Sequence, residues 1–424
     1  MASLVFNTSG TGDPRPVGSI PATSAIGGTP SPRALRRTAL DTAIIGIGEV
    51  PPRRRSDGAT TLDLVARVAR DAMLDAHLRP ADVDGLLLSP SFTGAPLTVA
   101  SMVADLLGLR PSYCDVVDVG GATAAGMVWR AAAAIDAGAC RAVLCVLAEG
   151  ADPREGVRSP SWPALPNGQW ERPYGSLGPN SGYALAASRH AFEFGTTDEQ
   201  RAKVAVDQRT NACANPDSLF AGTPITVDDV LGSPLVCDPL HLLEIVMPCF
   251  GASAFVVARA DVAAAGPHPP VVLRGFGEQV THSSLVSLPD LTRTGIVESA
   301  GRAYAAAGVT PADIDLVSAY DCYTITVILT LEDAGFCAKG AGGPFVADHD
   351  LTFAGDLPCN THGGQLSYGQ AGLAGGASHV TEAVVQLRGA AGARQVPDCA
   401  LALVNGNGGI LAEQCTLVLE RGGA

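Results

Sequence analysis

Two phrases, Ala76–Ser89 (AHLRPADVDGLLLS) and Ala306–Tyr320 (AAGVTPADIDLVSAY), repeat one pattern in distant parts of the chain. Each closes a helical periodicity, Thr61–His77 in the first case and Ile296–Gly308 in the second. Each then turns at Pro-Ala-Asp and enters a short apolar strand, Gly85–Ser89 or Leu316–Tyr320. Repetition of a whole helix–turn–strand unit points to a duplicated fold.

The next units correspond as well. A strand over Val116–Gly121 runs into a helix over Ala122–Ile135, and Gly138 and Arg141 precede a strand at Ala142–Leu147. In the second half Asp356–Gly376 (DLPCNTHGGQLSYGQAGLAGG) runs into a helix over Ala377–Leu387. Gly392 and Arg394 then precede a strand at Ala400–Val404. Helices alternating with apolar strands make each half a layered α/β unit. Residues 1–40, rich in Gly, Pro, Ser and Thr, read as a flexible tail. The first half spans 41–270 and includes a loop domain inserted at about 152–248. The second half spans 271–424.

Composition narrows the function. At 424 residues and 47% hydrophobic, the chain can bury a large core, and its net charge of −14 argues against nucleic acid and anionic membranes. No apolar run reaches spanning length, and the N-terminus has no signal-peptide core. The eleven cysteines form no CxxC pair, so a zinc site is not expected. Most lie in apolar stretches, as in a reducing, cytoplasmic protein. His241 and Glu244 stand at helical spacing without a second histidine, a weak metal signal. Gly46-Ile47-Gly48 lacks the third glycine and acidic partner of a dinucleotide loop.

The glycine-rich stretch Asp356–Gly376 carries groups able to do chemistry: His362, Ser367, Tyr368 and Gln370. Together with the repeat phrases, the YDCYTITVILTLEDAGFC run from Tyr320 and the QLRGAAGARQV run from Gln386, it resembles the thiolase superfamily. Within it, the sterol-carrier or lipid-transfer branch is the most similar. The resemblance covers about residues 42–424. It implies an α/β, duplicated five-layered αβαβα fold, a homodimer, and acyl-CoA thioester ligands, with no metal or redox cofactor.

The chain departs from that family at four catalytic positions. The nucleophilic cysteine position falls at Gly121, and the histidine of the HDCF-like motif is Tyr320, in Tyr320-Asp321-Cys322-Tyr323. The histidine that activates the nucleophile is Gln370, and the acid/base cysteine falls at Val380 by spacing. Glycine cannot hold an acyl group, so covalent Claisen chemistry is not expected. Tyr320 and Tyr368 beside a missing cysteine resemble the thiolase-like retro-aldolases of bacterial steroid side-chain degradation. Those enzymes cleave a β-hydroxyacyl-CoA beside a small OB-fold and zinc-ribbon partner, in a heterotetramer.

This resemblance implies Tyr320 and Tyr368 as acid and base. His362 would be an oxyanion donor, a relay or a turn residue. Asp321 would orient a neighbour or cap the helix that follows it, and Cys322 would pack. Gly121 would leave room for a bulky β-substituent, with backbone N–H groups nearby for the oxyanion. A non-catalytic subunit that binds acyl-CoA or scaffolds a partner stays open as a different class of reading, and a conventional thiolase or acyltransferase is third.

Overall fold

The computed structural model describes residues 42–55, 58–90, 99–150, 165–176 and 178–423. The expected tail and the first part of the insert lie outside the described residues. The first half runs β1 (Thr42–Arg53), α1 (Thr61–Asp75), β2 (Gly85–Leu88), α2 (Val99–Leu107), β3 (Tyr113–Val116), α3 (Thr123–Asp136) and β4 (Ala142–Glu149). The insert follows as α4 (Pro166–Trp170), α5 (Pro179–Phe194), α6 (Asp198–Cys213), α7 (Val227–Leu231) and the small hairpin β5 (Leu235–Cys237) and β6 (Leu240–His241). The first half closes with β7 (Phe250–Arg259) and α8 (Ala260–Ala263). The second half runs β8 (Val271–Val280), α9 (Ile296–Ala307), β9 (Leu316–Ala319), α10 (Thr324–Asp333), α11 (Gly342–Asp348), α12 (Gly364–Ser367), α13 (Ala377–Leu387), β10 (Leu401–Gly408) and β11 (Glu413–Arg421).

The repeated phrases do the same physical work in both halves. In each Pro-Ala-Asp turn the Asp accepts a backbone N–H three residues back, Asp82 from Arg79 and Asp313 from Thr310. The aspartate two residues later reaches the start of the neighbouring parallel strand. Asp84 Oδ1 accepts Arg141 N and Ala142 N at 2.8 and 2.9 Å. Asp315 Oδ2 accepts Ala400 N and Leu401 N at 2.8 and 2.9 Å. The expected strand at Val116–Gly121 is corrected: β3 ends at Val116, and the chain turns through Gly120 at a φ of 55° before α3. A left-handed residue there breaks the strand, which a run of apolar residues does not reveal.

The strands join in the order β3-β2-β4-β7-β1-β8-β11-β10-β9. The two halves meet through Ala43↔Val272 and Ile44↔Val271, a short pairing between β1 and β8. Side-chain alternation along the strands separates three apolar layers. In β4, Leu144 and Val146 face the core under α1 and α2, while Val143, Cys145 and Leu147 face inward. In β10, Ala402 and Val404 join that same inner core and Leu403 turns to the core under α9 and α10. The inner core holds α3 and α13, both buried along most of their length. The result is helices, sheet, central helices, sheet, helices: five layers, with each central helix entering from a loop at the same end of its half.

Candidate active site

Tyr320 follows β9 directly, and Asn360 fixes where it begins. Asn360 adopts a φ of 52°, which asparagine tolerates better than most residues. Its side-chain amide brackets Ala319, accepting Ala319 N at 2.8 Å and donating to Ala319 O at 2.9 Å. Tyr320 N then donates to Asn405 O of β10 at 3.1 Å. The phenol is thus carried on backbone tied on both sides.

The Tyr320 ring lies across Gly121. A Cβ on Gly121 would stand 2.3 Å from Tyr320 Oη, 2.4 Å from Tyr320 Cζ and 2.4 Å from Asn407 O. Tyr320 therefore fills the space that a side chain at position 121 would take. The expectation that Gly121 leaves room for a bulky substituent is overturned, because the phenol and the Asn407 carbonyl already occupy that room. Gly376 is confined in the same way, its Cβ position lying 2.4 Å from Gly121 O. Gln370 Nε2 donates to Tyr320 Oη at 3.1 Å. Burial pushes the Tyr320 phenol far above the usual tyrosine range, and the Gln370 hydrogen bond opposes this. Since the oxygen accepts from Gln370, its own proton stays free to be donated elsewhere.

Gln370 is held by the return from the insert. Gln370 N donates to Met247 O at 3.1 Å and Cys249 N to Gln370 O at 2.8 Å. Val380 sits elsewhere, fully buried in the apolar core around α13. The wall of the site opposite Gly121 is instead made by Asn407 at the end of β10.

Asp321 caps a helix, though not the one that follows it. Its Oδ1 accepts Gln365 N at 2.7 Å and its Oδ2 accepts Leu366 N at 3.0 Å, at the start of α12. Gly364 allows this approach, since a Cβ there would lie 2.1 Å from Asp321 Oδ2 and its φ is +58°. The expected cap on α10 is corrected accordingly. Asp321 Oδ1 also lies 3.2 Å from His379 Nε2.

His379, not singled out from the sequence, sits at the centre of the cluster. Its Nδ1 meets Ser318 Oγ at 3.0 Å and its Nε2 meets Gln365 Nε2 at 3.2 Å. Its ring stands 5.9 Å from Tyr320 and 5.2 Å from His362, and His362 stands 5.2 Å from Tyr368. Among the described residues no ring contact joins Tyr320 to Tyr368 directly. The two tyrosines belong to one buried cluster, but through two histidines. The missed signal was His379 lying one turn before Glu382 on a helix entered from the glycine-rich loop. A histidine on an otherwise apolar helix face reads as packing until the fold is known.

His362 Nε2 meets Ser378 Oγ at 3.2 Å, and its Nδ1 has no hydrogen-bond partner. Burial, with His379 and Arg394 nearby, holds this imidazole well below the usual histidine range. It is neutral at pH 7, able to donate from one nitrogen and accept at the other. Cys322 contributes packing: its Sγ lies 4.0 Å from Asn407 Nδ2, and burial pushes its thiol up to about 12. Glu244 belongs to no metal site, since its carboxylate accepts from Arg201, Thr324 and His241. Among the described residues no group of three His, Cys, Asp or Glu could hold a metal ion, and no helix is long and apolar enough to cross a membrane.

Comparison with known proteins agrees with this architecture. Residues 277–421 match the family described as thiolase C-terminal domain-like. The steroid side-chain-cleaving aldolase of Thermomonospora curvata is 34% identical, over 82% of this chain and 90% of its own length. An acetyl-CoA acetyltransferase of Methanothermobacter thermautotrophicus is 33% identical, over 87% of this chain and 96% of its own. The solved Ltp2-ChsH2(DUF35) aldolase superposes with a TM-score of 0.81 at 32% identity, covering 90% of this chain and 97% of that one. The chain therefore belongs to the thiolase superfamily, in the thiolase-like branch that includes steroid side-chain-cleaving aldolases.

Proposed function

We propose that the protein is a carbon–carbon lyase that cleaves a β-hydroxyacyl-CoA by retro-aldol chemistry into a ketone and a shorter acyl-CoA. The observation that carries this reading is the exclusion between Tyr320 and any side chain at position 121. Where an acyl-transferring relative would need a thiolate, this site offers a phenol with a free proton. The relatives named as aldolases, similar over most of their length, support the same class. A steroid side-chain 17-hydroxy acyl-CoA is the first substrate to test, in keeping with a relative named 17-hydroxy-3-oxo-4-pregnene-20-carboxyl-CoA lyase, and propionyl-CoA is the short product proposed.

The reaction balances without an oxidant or a metal. A base takes the β-hydroxyl proton, and the O–H electron pair becomes the second bond of the ketone. The Cα–Cβ electrons move onto the thioester as an enolate, which hydrogen-bond donors stabilise. An acid then protonates Cα. Tyr320 and Tyr368 are the proposed acid and base, with His362, Gln370, Asp321 and the Gly121 backbone in support.

The relative named as an acetyltransferase raises the acyl-transfer reading. It requires a thiolate, whereas burial holds both Cys322 and Cys249, the cysteines flanking the site, above the usual thiol range. The reading also extends to assembly: a homodimer, with a small OB-fold and zinc-ribbon partner in a heterotetramer, in the cytoplasm. The test is to purify the chain with that type of partner and supply the 17-hydroxy acyl-CoA. Formation of a 17-ketosteroid and propionyl-CoA supports the lyase. Tight CoA-ester binding without turnover, on this or simpler β-hydroxyacyl-CoAs, would favour a scaffold.

A further inference from the structure

The buried ring of His379 stands between groups that it cannot satisfy together as they face it. Its Nε2 lies 3.2 Å from Asp321 Oδ1 and 3.2 Å from Gln365 Nε2. A carboxylate only accepts, and an amide nitrogen only donates. One ring nitrogen cannot give its proton to the first and take a proton from the second. Across the ring, Nδ1 meets Ser318 Oγ at 3.0 Å, and a hydroxyl serves either way. The choice falls on the amide, because Gln365 Oε1 is buried with no partner. Half a turn about the last side-chain bond sets Oε1 on His379 Nε2–H, which it shares with Asp321, while Ser318 donates to Nδ1. Every acceptor of the group is then met. The amide N–H groups stand where Oε1 stood.

That position adjoins the residues of the site. A Cβ on Gly375 would lie 2.6 Å from Gln365 Oε1 and 2.8 Å from Gln370 Cγ, so the two glutamines meet over a bare glycine. The Cβ position of the next residue, Gly376, is 3.3 Å from Tyr320 Cε2 and 2.4 Å from Gly121 O. Gln370 in turn donates to Tyr320 Oη at 3.1 Å. Gln365 itself is fully buried, and its backbone is anchored, with N donating to Asp321 Oδ1 at 2.7 Å.

We propose that Gln365 is a further catalytic residue of the lyase: its amide N–H donates to the thioester oxygen as the enolate forms, and His379 and Asp321 hold the amide in that orientation. This rests on the lyase reading above. A donor buried without an acceptor is costly in the free enzyme. An oxygen that gains negative charge in a site closed to water is the acceptor that rewards it most. The amide transfers no proton. It stabilises the charge that the broken Cα–Cβ bond leaves on the thioester.

Three measurements on the full chain test this. Nitrogen-15 spectra of protein labelled at histidine should show His379 with a proton on Nε2, its signal identified by loss in His379→Asn. A bare Nε2 in the wild type overturns the inference. In the lyase assay with a β-hydroxyacyl-CoA, Gln365→Met keeps the side chain's length and removes the donor. It should lower kcat by about 10²–10³-fold, with KM and Tm little changed, and full turnover by this variant overturns the inference. The third readout needs no turnover. An acyl-CoA lacking the β-hydroxyl, labelled with carbon-13 at the thioester carbonyl, should show its infrared carbonyl band shifted to lower frequency on binding. Gln365→Met should lose part of that shift, and a band at the same frequency in both proteins overturns the inference. An inactive wild type whose band still depends on Gln365 counts against the lyase reading and leaves the donor standing.

Discussion

At the scale of single residues, Gly121 and Tyr320 exclude one another's alternatives. Gly121→Cys would not restore acyl transfer, because its Cβ would overlap the phenol and the Asn407 carbonyl. Overpacking of this sort costs about 1–3 kcal/mol, so thermal unfolding should show a lowered Tm and no acyl-enzyme should accumulate. Adding Tyr320→Ala should recover only part of the loss, since the clash with Asn407 O is with backbone. Tyr320→Phe keeps the ring and removes the hydroxyl. It should lower kcat by about 10²–10⁴-fold with stability nearly unchanged, and full turnover by this variant would remove Tyr320 from the mechanism. Glu49 in β1 adds a stability signature. Burial raises its carboxyl to about 7 in the folded chain against a reference of 4.5, so the native state binds the extra proton between those values. Stability contributed by this group should therefore decline as pH rises from about 4.5 to 7, and Glu49→Gln should flatten that decline. Tyr368, His362 and Gln370 were legible because each sits in a short phrase beside glycines, and Tyr320 because it opens the phrase Tyr320-Asp321-Cys322-Tyr323 at the end of a repeated strand. His379 was not. It lies on a buried helix, and only tertiary packing brings it to the tyrosines.

At the scale of elements, the site depends on short segments pinned by buried acids. The helix α12 is a single turn, too short to persist without tertiary support. Asp321 supplies that support through two backbone N–H groups. Asp321→Ala would leave both donors buried and unpaired, at about 1–3 kcal/mol each. A fall of that size in denaturant midpoint, with lost activity, is expected, and Asp321→Asn should be milder because one oxygen remains. Glu244 plays a comparable part for the insert. It joins buried Arg201 of α6 at 3.0 Å to Thr324 at the start of α10 at 2.9 Å. Glu244→Ala would leave Arg201 Nε and Thr324 Oγ1 without their acceptor, while Arg201 Nη2 keeps Asp198 at 2.6 Å and Pro239 O at 3.2 Å; a buried group left unpaired costs about 1–3 kcal/mol, readable as a loss of Tm. The sequence carried α9 and α13 plainly in their periodicity. It could not show that Asp321 caps α12 rather than α10, because both helices begin within reach of that loop and only the glycine at 364 admits the carboxylate.

At the scale of the whole molecule, the two outer strands of the sheet differ in a way that bears on assembly. β9 is buried along its length, and its far side is closed by residues 358–360: Val317 N donates to Pro358 O and Asn360 N to Val317 O, both at 2.9 Å. β3 has no such cover among the described residues, and Cys114, Asp115 and Val116 are exposed. An open edge strand is a template for pairing with another chain. A twofold dimer formed there would bury it in each copy. Tyr113 N and Val117 N donate toward β2, to Asp84 O and Leu88 O. By strand alternation, Cys114 N points to the open side. Cys114→Pro would remove that donor without touching the β2 ladder, and proline is tolerated on an edge. A twofold interface loses the bond twice. At about 0.5–1.5 kcal/mol each, dimer Kd should rise roughly 5- to 150-fold. Sedimentation equilibrium should then show the mass shifting from twice 43.1 kDa toward the single-chain value, with far-ultraviolet dichroism unchanged. A variant that stays dimeric at the wild-type concentration would place the interface on another face of the molecule.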